Sequence, residues 1–233
     1  KLQTRRKFLK NATLTAASSL GIAGYGFSTA LDLPGVRRRS FELGALPAAW
    51  DGLKVLQISD VHAGPYMSTD RMSRLRDLAM RLDPDLIVFT GDQMDRRASD
   101  AELFARGFQG IEAPLGVLGI LGNHDHFINP ARTEWALEAA GIEPLVNSGV
   151  TFDRGGSTLA LVGIEDLQAR DGREPDFSIL SHYPTSCRLC LCHQPQGWHR
   201  AAEAGAHLTL AGHTHGGQIA LTGRNLNVAR FST

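Results

Sequence analysis

Residues 208–218 read LTLAGHTHGGQ and point most directly to the architecture of this chain. The apolar run 208–211 predicts a buried strand, and Gly212 then precedes two histidines, His213 and His215. Open α/β sheets bind their ligands in loops that leave the carboxyl ends of strands. Two imidazoles in such a loop suit zinc, manganese or iron. Since a lone His-x-His pair occurs more often without a metal than with one, the metal interpretation depends on the rest of the chain.

Four earlier apolar segments end in the same kinds of polar side chain. The segments 53–59, 85–90, 116–121 and 188–192 are followed, in order, by Asp60 and His62, by Asp92, by Asn123 and His124, and by His193. Amphipathic helices are predicted between them over about 70–82, 98–108 and 130–140. This alternation of strand, polar tip and helix predicts one α/β domain over residues 53–233.

The spacing inside the paired motifs has a geometric interpretation. In Asp-x-His and His-x-His, an extended strand tip would place both side chains on one side, where they could converge on one ion. Glycines beside these residues let the backbone turn and approach a ligand closely. They are Gly91, Gly122, Gly212 and Gly216.

Taken one at a time, each of these residues could have an ordinary structural role instead of binding a metal. Asp60 could cap a helix, Asp92 and Asn123 could fill turns, and His193 could be a hydrogen-bonded core histidine. One shared metal centre explains the whole set. Two carboxylates, one carboxamide and four histidines exceed what a single tetrahedral zinc needs. We therefore expect two divalent ions about 3.5–4 Å apart with a bridging carboxylate, and mixed nitrogen and oxygen ligands favour Mn²⁺, Fe²⁺ or Zn²⁺.

One ligand position has two candidates. Ser181-His182-Tyr183-Pro184 is similar to the sequence around His193, but only His193 directly follows an apolar strand, so we favour His193. The remaining histidines considered, His126, His199 and His207, are predicted to be surface or helix residues.

Composition and charge narrow the classes of function. The 233 residues suffice for one sizeable core, and the formal net charge is zero. Five of the 24 basic residues but only one of the 24 acidic residues lie in residues 1–36, so the remainder has an acidic surplus of four, which argues against nucleic acid as a partner. Cys187, Cys190 and Cys192 have no second Cys-x-x-Cys pair to complete a zinc site, and we expect them to be small core residues.

Residues 1–36 predict a targeting segment. The run 5–10, RRKFLK, precedes a weakly apolar stretch rich in Ala, Ser and Gly and resembles a twin-arginine export signal. We expect the twin-arginine translocase to deliver the protein to the periplasm or the outer face of the cytoplasmic membrane, with the segment either cleaved or kept as a membrane anchor. A basic, disordered N-terminus is the alternative. Residues 37–52 predict a linker or an edge strand, and the basic triplet 37–39 could meet acidic lipid headgroups.

Together, the motifs resemble those of the calcineurin-like metallophosphoesterases. The matching motifs over about residues 53–220 are Asp60-x-His62, Gly91-Asp92-x-x-Asp95, Gly122-Asn123-His124-Asp125, His193 and Gly212-His213-x-His215. The twin-arginine start and the Gly-Gly-Gln after the last histidine are similar to an exported bacterial phosphodiesterase branch. The resemblance implies a four-layer α/β/β/α sandwich, with two mixed β-sheets flanked by helices. Because few residues follow His215, we expect the second sheet to be incomplete or the chain to be a fragment.

The resemblance also implies a role for each matching residue. The first metal would be held by Asp60, His62 and His215, the second by Asn123, His193 and His213, and both by Asp92. A hydroxide between the metals would attack phosphorus, and His124 would be the general acid. Asp125 would orient His124, and Asp95 would orient a metal ligand.

The implied activity is that of a dinuclear metal-dependent phosphohydrolase, a phosphodiesterase in the first instance. Its substrate would be a small-molecule or lipid phosphodiester or diphosphate. Two alternatives stay open: a UDP-diacylglucosamine-type pyrophosphatase of lipid A precursors, and a non-catalytic, metal-stabilised binding module of the envelope. His124 favours an enzyme, because a purely structural site has no use for an unligated acid.

Overall fold

Two four-stranded β-sheets form the centre of the fold. The computed structural model describes residues 34–170, 172–215 and the backbone of residues 220–221 and 226–227. The strands are β1 Val55–Ile58, β2 Leu86–Thr90, β3 Val117–Ile120, β4 Glu143–Pro144, β5 Ser148–Arg154, β6 Ser157–Gly163, β7 Cys187–Leu191, β8 Leu208–Leu210, β9 Ala220–Leu221 and β10 Leu226–Asn227. The α-helices are α1 Thr69–Arg81, α2 Asp100–Phe108, α3 Asn123–Ile128, α4 Pro130–Ala140 and α5 Trp198–Glu203, and 3-10 helices cover Ala48–Trp50, Phe177–His182 and Pro195–Gly197.

The chain divides into two units, Lys1–Arg39 and Ser40–Thr233. In the first unit the structure describes residues 34–39, which are exposed and have no helix or strand. The predicted targeting segment therefore lies outside the described residues, apart from 34–36. Among the residues that are described, no helix combines the length and the apolar character needed to cross a bilayer.

The first sheet has the strand order β1-β2-β3-β4, and its neighbouring strands pair in parallel. Parallel pairing brings the carboxyl ends of these strands to one edge, where the sequence places the polar tips. All five residues of β2 are buried, as expected for a strand covered on both faces.

The second sheet has the order β5-β6-β7-β8 and is mixed. β5 and β6 form an antiparallel hairpin, whereas β6, β7 and β8 run parallel. β9 and β10 form a separate antiparallel pair. The predicted α/β arrangement of two sheets flanked by helices is confirmed, with the refinement that each described pair in the first sheet is parallel.

The two sheets pack face to face over one hydrophobic core. Leu86 and Val88 of β2 lie in the same buried cluster as Leu161 of β6 and Leu189 of β7. A second cluster covers the other face of the second sheet and includes Phe177, which lies in a 3-10 helix. Residues that alternate along β6 and β7 therefore pack on opposite faces of the sheet.

Helices cover the other face of the first sheet. Phe89 of β2 contacts Phe104 and Phe108 of α2, with ring centroids 5.7 and 5.0 Å apart. Met72 of α1 is fully buried as well. Since Phe89 faces these helices while its neighbour Val88 faces the second sheet, the layer order is helix, sheet, sheet, helix.

The segment 37–52 has no strand, so the edge-strand prediction is wrong. Trp50, at the end of a 3-10 helix, is fully buried in the core between the sheets. Its indole Nε1 donates a hydrogen bond of 3.1 Å to the Ser157 carbonyl at the start of β6. Residues from about Ser40 onward therefore pack with the α/β unit.

Candidate metal centre

Seven predicted metal ligands lie together just beyond the carboxyl ends of strands from both sheets. Asp60, Asp92 and Asn123 follow β1, β2 and β3, while His193 and His213 follow β7 and β8. Their side chains, together with those of His62 and His215, form two groups with Asp92 close to both. The following distances define these groups.

The first group consists of Asp60, His62 and His215, whose ligand atoms lie within 4.8 Å of one another. His215 Nε2 is 3.3 Å from Asp60 Oδ1. His62 Nε2 and His215 Nε2 are 3.2 Å apart, so two imidazole nitrogens point at the same place. The backbone N–H of His213 donates to the Asp60 carboxylate, which joins the β8 loop to this group.

The second group consists of Asp92, His193 and His213, also within 4.8 Å of one another. Asn123 belongs beside it, because its Oδ1 is 3.1 Å from His193 Nε2. His193 is fully buried, and its Nδ1 donates to the Thr90 carbonyl at 2.7 Å, since a carbonyl can only accept. That hydrogen bond leaves His193 Nε2 as the nitrogen available to a metal.

Asp92 connects the two groups. Its Oδ2 is 3.2 Å from His193 Nε2 and 3.7 Å from His62 Nε2, and its side chain is almost completely buried. Burial alone would raise the pKa of Asp92, but the hydrogen bond and charge of His193 outweigh it and lower this pKa. Conversely, burial would lower the pKa of His193, yet pairing with Asp92 raises it to about 9. The carboxylate is therefore ionised at the point where a bridging ligand is expected.

The backbone around the ligands is left-handed, which corrects the predicted extended strand tips. The φ angles are 54° at Asp60, 47° at His62, 56° at Asp92, 68° at His213 and 50° at His215. Residues other than glycine adopt this region at a cost of about 1–3 kcal/mol, and such strain clusters at functional sites. The paired side chains thus converge because the chain turns at each ligand, and strand alternation is not the cause.

Three glycines beside the centre are required by close contacts, and one of them is Gly212, where an added Cβ would lie 2.6 Å from Asp60 Oδ2. A Cβ on Gly122 would lie 2.3 Å from Asp92 Oδ1 and 2.5 Å from the Asp92 backbone nitrogen. A Cβ on Gly91, whose φ is +97°, would lie 2.4 Å from His193 Nδ1. The predicted close approach is confirmed at these positions, whereas Gly216 lies outside the described residues.

Gly91→Ala is expected to destabilise the protein more than Gly110→Ala. Both glycines have positive φ, but a Cβ on Gly110 would meet nothing within 4 Å, so the difference isolates the contacts of the added Cβ with His193 and with the Gly122 backbone. Overpacking of this kind costs about 1–3 kcal/mol beyond the backbone strain. Denaturant unfolding of the metal-free variants measures the difference, and equal losses for the two would contradict the predicted contacts.

His124 lies beside the first group, with its ring centroid 4.7 Å from that of His62. Its Nδ1 donates to the Asp95 carbonyl at 3.1 Å. The Asp95 carboxylate is 3.9 Å from His62 Nδ1. Asp95 therefore contacts both rings, His124 through its backbone and His62 through its side chain.

Asp125 does not hold the His124 ring, which corrects its predicted orienting role. Its buried carboxylate accepts backbone N–H groups of Gln93, Met94 and Gly122. Burial and the charge of Asp92 raise the pKa of Asp125 to about 7, although these three donors act in the opposite direction. Asp125 thus joins the loop after β2, which contains Asp92, to the loop after β3.

The donor set fits a pair of divalent cations. His62 Nδ1 is buried and has no hydrogen-bond partner, while His62 Nε2 faces His215 Nε2 across 3.2 Å. Imidazole nitrogens, carboxylates and a carboxamide are the ligands that zinc, manganese and iron accept. These residues can therefore hold two ions, with Asp92 placed to contact both.

The other histidines fall into two classes. His182, the rejected ligand candidate, is exposed in a 3-10 helix, and His199 in α5 and His207 before β8 are also exposed. His126 lies in the helix α3, within the prediction of surface or helix histidines, but its side chain is not at the surface. Its side chain is only 7% exposed, and its Nε2 is 2.7 Å from Oε1 of the buried Glu165.

The cysteines are buried and free, as expected for small core residues. Burial raises the pKa of the thiols of Cys187, Cys190 and Cys192. A buried thiol with a raised pKa is a poor metal ligand and a poor nucleophile.

The sequence interpretation missed an acidic pair at the end of β6. Glu165 and Asp166 follow Gly163 by two and three residues, and both are buried. Asp166 Oδ1 accepts from Gln194 Nε2 at 3.0 Å, next to His193 in the chain. The signal was present, because this pair follows an apolar strand just as the recognised ligands do.

Comparison with known proteins identifies the domain. A family model for calcineurin-like phosphoesterases matches residues 53–217. A Bacillus subtilis protein named uncharacterized metallophosphoesterase YkuE is 30% identical over 95% of this chain and 80% of its own length. The Escherichia coli phosphodiesterase YaeI is 28% identical over 93% of this chain and 79% of its own length.

Some relatives are longer. A Bos taurus transmembrane protein with a metallophosphoesterase domain is 26% identical over 99% of this chain but 54% of its own length. Its Danio rerio counterpart is 30% identical over 85% of this chain and 48% of its own length, so the chain spans about half of each. Among solved structures, a 5'-nucleotidase precursor from Thermus thermophilus superposes with a TM-score of 0.48 and 13% identity over 75% of this chain and 44% of that one.

The family model covers well over half of the chain, and its bounds enclose the two groups of candidate ligands that both sheets bring together. The Bacillus subtilis relative reaches 30% identity over nearly the whole chain. The chain therefore belongs to the calcineurin-like phosphoesterase family.

Proposed function

We propose that this protein is a dinuclear metal-dependent phosphodiesterase. The observation that carries the proposal is the position of Asp92, whose carboxylate lies between a group of three ligands and a second group completed by Asn123. Two ions that share a carboxylate can bind both the attacking and the leaving oxygen of a phosphoryl transfer. The YaeI relative is named a phosphodiesterase, which supports the same reaction class for this chain.

Each of the two ions would be held by one of the two groups of ligands. One ion would be held by Asp60, His62 and His215, the other by Asn123, His193 and His213, with Asp92 common to both. Divalent cations bound there would supply positive charge that polarises a phosphoryl oxygen and makes water more acidic. Mn²⁺, Fe²⁺ and Zn²⁺ all suit this mixture of ligands.

His124 is proposed as the general acid. Because its Nδ1 carries the proton donated to the Asp95 carbonyl, Nε2 is the nitrogen that can exchange a proton with substrate. The ring is partly exposed beside His62 and so can reach the departing oxygen of a bound diester. Protonation of that oxygen matters most when the leaving alcohol is a weak acid.

The position of Phe127 favours a substrate with an apolar leaving group. Its side chain is 63% exposed, and its ring centroid is 6.3 Å from that of His124. A leaving group protonated by His124 would therefore lie near an exposed aromatic surface. Aryl or lipid alcohols suit this surface better than small alkyl alcohols do.

A substrate panel with metal-loaded protein tests the proposal. We expect turnover of bis-p-nitrophenyl phosphate and of lipid phosphodiesters, and little turnover of DNA, since residues 37–233 carry an acidic surplus. Preference for a nucleotide-diphosphate lipid would instead favour the pyrophosphatase alternative. Stoichiometric metal without turnover of any member would favour the binding module.

We also propose that the protein is exported by the twin-arginine translocase and acts in the cell envelope. The support is the arginine pair in the run 5–10 and the weakly apolar stretch that follows it. Fusion of residues 1–36 to a reporter tests this proposal. Export that survives replacement of Arg5 and Arg6 by lysine would contradict it.

A further inference from the structure

A buried ion-pair network lies next to the metal centre, outside the ligand set. Glu165, which follows β6 of the second sheet, is 1% exposed. Its Oε1 is 2.7 Å from His126 Nε2, and its Oε2 accepts from Arg173 Nε at 3.1 Å. Arg173 also pairs with Glu134 of α4. This network therefore joins the second sheet to the two helices between β3 and β4 of the first sheet.

Glu165 is held in place by hydrogen bonds besides its contact with His126. The Asp166 backbone N–H donates to Glu165 Oε1 at 3.0 Å, and the Glu165 N–H donates to Asn147 Oδ1 at 3.0 Å. Burial alone would raise the pKa of Glu165, but the hydrogen bond to His126 and the charges of His126 and Arg173 lower it. The carboxylate is thus a fixed, charged acceptor for the His126 ring.

His126 belongs to the helix that presents two residues of the proposed active site. α3 has only six residues, begins with Asn123 and His124, and carries His126 two positions later. Asp125 anchors the start of this helix to the loop around Gln93, which belongs to the first sheet. The His126–Glu165 contact is a separate link, and it runs to the second sheet.

The centre needs such a link, because its ligands come from both sheets. Asn123 on α3 lies 3.1 Å from His193, which follows β7 of the second sheet. A small shift of α3 relative to the second sheet would change this distance and would move His124 with it. Misplacement of reacting groups by about 1 Å can reduce rates by about 100-fold.

We propose that Glu165 and His126 are a positioning pair, which holds α3 against the second sheet and thereby sets the places of Asn123 and His124. This inference rests on the proposed phosphodiesterase function. Neither residue touches the substrate in this account. Their effect passes through the helix to the general acid and to one metal ligand.

The test compares diesters with good and poor leaving groups. We expect Glu165→Ala to lower kcat by about 10–100-fold, the range typical of residues that support metal-site ligands. The loss should be larger for phenyl than for p-nitrophenyl leaving groups, because only the poorer one depends strongly on His124. Glu165→Gln keeps an acceptor for the ring and should recover most of the rate. The double variant Glu165→Ala, His126→Ala should lose little more than either single variant.

The ratio of kcat/KM for the two leaving groups, measured in one preparation, does not depend on the fraction of folded protein. A variant of low stability can therefore still be compared with the parent protein. The matched control is Glu102→Ala, which breaks the Glu102–Arg132 pair between α2 and α4 without touching α3. We expect this ratio to be unchanged in that control.

Two outcomes would distinguish failure of the positioning pair from failure of the proposed general acid. If His124→Ala shifts the leaving-group ratio and Glu165→Ala does not, the positioning pair is refuted and the proposed function survives. If His124→Ala leaves the leaving-group ratio unchanged, the assignment of His124 as the general acid is refuted, and with it the claim that the positioning pair acts through His124. Additive losses in the double variant would also overturn the pair.

Discussion

Asp92→Asn is expected to reduce bound metal from two ions per chain to one or fewer and to lower phosphodiester turnover by at least about 100-fold. A carboxamide has nearly the same shape but no charge, so it cannot offer both ions an anionic oxygen. The Asp92 carboxylate lies 3.2 Å from His193 Nε2 and 3.7 Å from His62 Nε2. Metal analysis of folded protein, combined with turnover of bis-p-nitrophenyl phosphate, measures both effects.

Asp85→Asn is the control for this variant, because Asp85 immediately precedes the opposite end of β2 and accepts the Lys54 backbone N–H there. It should retain two ions and normal turnover. Full occupancy in Asp92→Asn would show that the carboxylate does not bridge. Loss of one ion with unchanged turnover would show that a single ion suffices for catalysis.

His124→Ala is expected to keep both metal ions and to lose about 10²–10⁴-fold in turnover, the usual contribution of a general acid. The His124 ring lies beside His62. It belongs neither to the group formed with Asp60 and His215 nor to the group formed with Asp92 and His193. The loss should grow as the leaving alcohol becomes a weaker acid, since that alcohol needs the proton most. Steady-state rates across a series of aryl diesters measure this dependence.

Surface His199→Ala is the matched control, since this histidine is exposed on α5 and its ring is tilted against that of Trp198. It should not change the rates. If His124→Ala lost metal along with activity, His124 would be a ligand. Its geometry allows this, because ligand atoms of His62, Asp95 and His124 also lie within 4.8 Å of one another. A uniform loss over all leaving groups would argue against proton donation.

The set of candidate ligands could be predicted from the sequence, because apolar strands mark where the chain enters the sheets. Polar residues directly after the parallel strands of one sheet gather at one edge of that sheet, and here the two sheets whose strands precede Asp92 and His193 share one core. This reasoning placed Asp92 beside His193, although 101 positions separate them along the chain, and the structure brings them within 3.2 Å. It also favoured His193 over His182, and only His193 is buried at the centre.

The local backbone could not be predicted in the same way. Period-two alternation describes extended chains, whereas Asp60, His62 and His213 lie in the left-handed region. Such conformations are unfavourable for these residue types taken alone, and the surrounding contacts impose them. A pattern in the sequence reports local preference, so it misses geometry that tertiary contacts enforce.

Long-range pairing explains why His126, on a helix as predicted, is not at the surface. On a short helix next to polar residues, a histidine is expected to face solvent, and no local signal marks Glu165 as its partner 39 positions away. The link between the two sheets became visible only with the fold. The same holds for Trp50, which lies in a segment predicted to be a linker or an edge strand yet is buried between the sheets.

Anomalous X-ray scattering from crystals grown with Mn²⁺ tests the central claim most directly. We expect two manganese peaks about 3.5–4 Å apart, one within ligand distance of Asp60 and His215, the other of His193 and His213, and both of Asp92. A single peak, or two peaks that Asp92 does not join, would contradict a dinuclear centre built by both sheets.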